Sequence, residues 1–109
     1  METKVKLTWG SHIRYSPGAK SEAISIRRNI RRRQPGSSIY IIVMPEDGVK
    51  PEMYRDTMLF SMPFADKSYK IIGIARGREE AVELFAEMIE TVYKKDPALD
   101  YAKYYAAHS

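Results

Sequence analysis

YKIIGIARGREEAVELFAEMIETVYK, residues 69–94, changes its periodicity part-way along and so holds two elements of different kind. Residues 69–75, Tyr-Lys-Ile-Ile-Gly-Ile-Ala, read as an inner strand. Gly73 leaves a gap on one face of that strand, where another element can approach closely. After Arg76-Gly77 the period becomes helical. From 78 to 94, Ala81, Val82, Phe85, Met88, Ile89 and Val92 form one apolar stripe, and Glu79, Glu83, Glu87 and Glu90 lie off it. Glu79 and Glu80 stand in the first turn and Lys94 and Lys95 at the end, the order that the helix dipole favours. This helix is expected to lie on the sheet with Phe85 and Ile89 near the centre of the core.

On the N-terminal side, residues 39–44 read as a second inner strand, apolar and β-branched without alternation. Residues 3–9 alternate, with Val5, Leu7 and Trp9 on one side and Lys4, Lys6 and Thr8 on the other, as in a half-buried strand near a sheet edge. Residues 19–33 support two readings. As a helix they align Ala23, Ile26 and Ile30, with Arg27, Arg28, Arg31 and Arg32 on the adjacent arc. As a strand they align Ile24, Ile26 and Ile30 and pair with 39–44 around Gln34-Pro35-Gly36. The helix is the preferred reading. In 51–64, Pro51 suits the start of a short helix and Met58–Met62 a strand. Asp96 and Pro97 suit the N-cap and first position of a last helix reaching about Ala107.

These elements predict an α+β domain, a small two-layer sandwich of three to four short strands. Its helices, at about 19–33, 78–94 and 97–107, are expected to pack mainly on one face. A length of 109 residues suits a single domain over 1–109. The other sheet face then needs a cover, which self-association would supply.

The absence of cysteine excludes disulfides and thiolate zinc sites and favours a reducing interior. The N-terminus, Met1-Glu2-Thr3-Lys4, has no apolar leader, and the apolar stretch 39–45 is well short of the roughly 20 residues that span a bilayer. A soluble cytoplasmic protein without membrane contact is expected. Net charge is +4 but unevenly divided. Residues 1–50 carry ten Lys/Arg against four Asp/Glu, and residues 51–109 carry eight against ten.

The basic half is dominated by Arg27, Arg28, Arg31, Arg32 and Arg33. Arginine pairs with phosphate in a bidentate manner and stays charged, so this cluster is a candidate polyanion or nucleic-acid surface. Its bland alternative is a solvated face paired with the acidic helix. Arg76, Gly77 and Arg78, between strand and helix start, form a candidate anion site of backbone N–H groups. Glu79 and Glu80 at the same place oppose it, and a tight capped turn explains the glycine equally well. Tyr101, Tyr104 and Tyr105 share one face of the last helix, a candidate interface, unless that face closes the chain's own core.

Catalytic material is thin. Neither His12 nor His108 has a His, Asp or Glu three or four residues away, the helical spacing of metal ligands, and the serines lack a nucleophile context. The expected function is therefore a small non-enzymatic interaction module that associates with itself or another protein and needs no metal or cofactor. The alternative is a nucleic-acid-binding accessory protein acting through Arg27–Arg33.

Overall fold

The computed structural model describes residues 5–46, 48, 50–62, 67–95 and 104. Along the chain run β1 (Lys6–Tyr15), α1 (Pro17–Lys20), α2 (Ala23–Arg31), β2 (Ile39–Pro45), β3 (Glu52–Arg55), α3 (Asp56–Phe60), β4 (Ser68–Arg76) and α4 (Arg78–Lys95). The strands form one mixed sheet in the order β1-β4-β2-β3. β1 runs parallel to β4, and β2 runs antiparallel to both β4 and β3. The α+β class, the inner strands at 39–45 and 68–76, the edge strand that begins at Lys6 and the helix from Arg78 all follow the sequence pattern.

The helices divide between the two faces of the sheet instead of gathering mainly on one. Ile41 and Val43 of β2 meet Ala19, Ile26, Ile30, Leu59 and Phe60 of α1, α2 and α3. Ile42 and Met44, pointing the other way, meet Ala81, Leu84, Met88 and Val92 of α4. Two covered faces explain why β2 reads as an unbroken apolar run. They also remove the open sheet face as a reason for self-association.

β4 keeps both faces apolar with the help of a bulge. Ile42 pairs with Gly73 and Val43 with Ile71, so Ile72 is the extra residue on β4. The insertion inverts the alternation. Tyr69, Ile71 and Ile74 face the α2 side, and Ile72 and Ala75 face α4. Gly73 provides the close approach expected of it. A Cβ there would lie 3.1 Å from Met88 Sδ of α4 and 3.1 Å from Ile42 Cδ1.

That fit selects the inward side of α4. Its apolar arc is wider than the sheet can cover, and with Met88 seated over Gly73 the buried positions are Ala81, Leu84, Met88 and Val92. Phe85 and Ile89 are only half-buried, and Val82 is 51% exposed. The expected stripe was therefore displaced, with Leu84 taking the central place assigned to Phe85.

Residues 23–31 form a helix, as the preferred reading had it, and the alternative strand pairing with 39–44 falls away. In 51–64 the order is reversed: a strand follows Pro51, and the helix is Asp56–Phe60 where a strand at Met58–Met62 was expected. β3 exists because β2 offers it a ladder from Tyr40–Arg55 to Val43–Glu52, a non-local cause. Tyr54 of β3 stacks on Tyr69 at 6.2 Å between centroids. Burial, then the Glu52 carboxylate that accepts its hydroxyl proton at 2.5 Å, raises the Tyr54 phenol above its ordinary pKa. The last helix expected at about 97–107 lies outside the described residues apart from Tyr104, which is helical.

Candidate polyanion interface

α2 is short, and its apolar side is two residues wide, Ile26 and Ile30. Most of its circumference is therefore free for arginine. The five arginines do not act alike. Arg27 lies over the Trp9 ring of β1, with its guanidinium carbon 4.8 Å from the centroid, and Arg31 lies over the same ring at 5.8 Å. Arg27 also donates Nη1–H to the Tyr15 hydroxyl at 3.3 Å. Arg33 has a φ of 53°, in the left-handed region, and turns back to the sheet. Its Nη2 donates to the Val5 carbonyl at 2.5 Å, and its Nη1 is buried without a hydrogen-bond partner.

Arg28 and Arg32 remain. Both are exposed, four positions apart on one side of α2, as is Arg31. Arg28 makes a long contact of 3.4 Å to Ser25 Oγ. The ion pairs among the described residues are Arg14–Glu87, Arg76–Glu22 and Lys94–Glu90, so none of the five arginines belongs to one. The acidic helix is no partner for them, since α4 covers the opposite face of the sheet.

β1 lies beside α2 through Trp9, while its one arginine, Arg14, pairs with Glu87 of α4. Trp9 pairs with Ile71 and Arg14 with Gly73, which leaves three extra residues on β1 and bows its middle out from the sheet. Ser11 and His12 on the bow are exposed. Trp9 and Tyr15 are the members that sequence reasoning missed. The alternation in 3–9 placed Trp9 inward, but nothing local indicates that α2 sets two guanidinium groups on its ring.

Arg76, Gly77 and Arg78 do not make an anion site. Arg76 of β4 pairs through Nη1 with Glu22, and its backbone N–H donates to Ser16 Oγ at 3.0 Å. Gly77 has a φ of +84°, which suits glycine, and its N–H is used by the Ser38 carbonyl at 2.8 Å. Arg78 is exposed. Glu80 reaches across to the start of α1, where Oε1 accepts the Gly18 N–H at 2.8 Å. Hydrogen bonds from Ser16 and Gly18, with the charge of Arg76, hold the Glu80 carboxyl below its ordinary pKa.

Tyr104 is half-buried and packs on the α4 side of the core, so it closes the chain's own fold. Tyr101 and Tyr105 lie outside the described residues. The exposed aromatic on that side is Tyr93 of α4, at 58%.

A small cleft opens between α2, the chain leading into β2, and the start of α3. Its cavity volume is about 170 Å³, and Glu22, Ser25, Asn29, Gln34, Asp56 and Arg76 contribute polar groups to its lining, Glu22 being paired with Arg76. Asp56 is 1% exposed, accepting the Gly36 N–H at 2.7 Å on Oδ2 and the Thr57 N–H at 2.7 Å on Oδ1. It pins Gly36 to α3, a role invisible in sequence because its partner lies 20 residues back. Comparison with family models, curated proteins and solved structures returns no match, so the functional reading rests on this geometry.

Proposed function

We propose that the chain is a binding module for polyanions, nucleic acid foremost, and that the face built by α2 and β1 makes the contact. The observation that carries this reading is the segregation of charge. Arg28, Arg31 and Arg32 are exposed and outside every ion pair among the described residues, while α4, with Glu79, Glu83, Glu87 and Glu90, lies across the sheet. Stacking on Trp9 gives Arg27 and Arg31 fixed positions, which lowers the entropy lost when they meet phosphate. Arginine is the exposed charged residue of this helix, so contacts to phosphate are expected to dominate. Short single-stranded and duplex oligonucleotides should bind at low salt, measured by fluorescence anisotropy. Replacing Arg28 and Arg32 by Glu should abolish binding without lowering the melting temperature by more than a few degrees. Binding that survives both replacements would place the contact elsewhere.

A second reading is self-association. α4 presents Val82 and Tyr93 outward, 51% and 58% exposed, beside Glu79, Glu83, Glu87 and Glu90. An acidic α4 and a basic α2 on opposite faces are complementary between successive copies, in head-to-tail fashion. Light scattering at rising concentration should then show dimers or larger species, and Val82→Glu with Tyr93→Glu should return a monomer. A protein that stays monomeric at high concentration excludes this reading and leaves the first untouched.

A further inference from the structure

We infer, resting on the self-association reading above, that self-association and polyanion binding share one surface and exclude each other. α4 of a second copy seats on the arginine face of α2, around Ile24, and nucleic acid displaces it. Ile24 is 83% exposed, the most exposed large apolar side chain among the described residues. It stands one helical turn before Arg27 and Arg28 and two turns before Arg31, so it lies inside the basic face. Contacts to phosphate leave such a side chain in water. A partner with an apolar centre and an acidic border covers it.

The outer side of α4 has this pattern. Val82 and Tyr93 are 51% and 58% exposed. Ala86, small and exposed, stands between them, one turn after Val82. Glu79, Glu83 and Glu90 border this strip at helical spacing from Ala86. Glu90 is paired with Lys94, but Glu79 and Glu83 belong to no ion pair among the described residues, and neither do Arg28, Arg31 and Arg32. Ile24 of one copy therefore seats over Ala86 of the next, with Glu79 and Glu83 set against the guanidinium groups. The lengths agree. With nine residues, α2 is about 14 Å long, and the rise from Val82 to Tyr93 is about 16 Å. Exposed ion pairs contribute little each, so the charges select which faces meet and the apolar seat supplies most of the affinity.

α2 and α4 cover opposite faces of the sheet. One partner cannot cover both, so the contact is heterologous and association runs past a dimer. Each copy within such an assembly has its α2 arginines covered. Assembly therefore withdraws the polyanion surface, and excess polyanion dissolves the assembly by mass action.

The test uses the full chain. Sedimentation velocity at low salt and rising concentration should show a mean mass that passes that of a dimer. Ile24→Ser should weaken this association about tenfold while leaving the affinity for oligo(dT) unchanged. Arg28→Glu and Glu83→Arg should each assemble poorly alone and co-assemble when mixed, because the reversed charges then meet. Excess oligo(dT), of a length that holds one copy, should return the parent protein to single copies. Association that survives Ile24→Ser, or variants that do not recover on mixing, would overturn the contact while self-association stands. A mass that stops at a dimer would do the same. A monomer at every concentration removes the contact and the self-association reading together. Assemblies that bind oligo(dT) without coming apart overturn the exclusion. If oligo(dT) does not bind even Ile24→Ser, the exclusion falls with the polyanion reading.

Discussion

At the scale of single residues, charge is mostly absorbed by the chain's own needs. Arg33 serves the Val5 carbonyl, Arg76 serves Glu22, and Glu80 serves the start of α1. The Glu80 arrangement has a consequence for acid stability. Its carboxyl binds a proton less tightly when folded than its ordinary value of 4.5 implies. Its contribution to stability is therefore complete above that value and disappears as pH falls through the lower folded pKa. Thermal melts of the parent and of Glu80→Gln from about pH 6 to about pH 3 should converge on the acid side, where the parent loses its advantage. A gap that stays constant over this window would contradict the linkage. Asp56 and Trp9 show why part of the site could not be read in sequence. Each gains its role from a contact with a distant segment, and neither carries a local signature of it.

At the scale of elements, the segments that follow one physical rule over many residues were legible. β4 and α4 are set by apolar periodicity, and so is β2. The 51–64 segment was not legible, because β3 is short and owes its existence to pairing with β2. The inward side of α4 was legible only in part, since its apolar arc exceeds one stripe and the choice depends on Met88 meeting Gly73. This yields a direct comparison. Leu84→Ala should cost about 2–5 kcal/mol, as for other buried leucines, whereas Val82→Ala should stay within about 0.5 kcal/mol as a surface change. Denaturant unfolding of the two variants measures both. Equal losses, or a larger one at Val82, would mean that α4 presents its other side to the sheet.

At the scale of the molecule, one sheet separates two helical layers of opposite charge. α2 gathers exposed arginine on one side, and α4 carries glutamate on the other, where Glu87 pairs with Arg14 of β1. This separation turns a run of basic residues, by itself a weak signal, into a face that no ion pair among the described residues neutralises. The measurement that tests this most directly is the salt dependence of oligonucleotide affinity. Log affinity should fall linearly with log salt, with a slope of about −0.7 per phosphate neutralised on single strands and about −0.9 on duplex DNA. Replacing Arg28 and Arg32 by Ala should make that slope shallower by about 1 for each arginine lost, with the fold intact by circular dichroism. A parent slope near zero, or an unchanged slope in the double variant, would contradict the assignment of the α2 face.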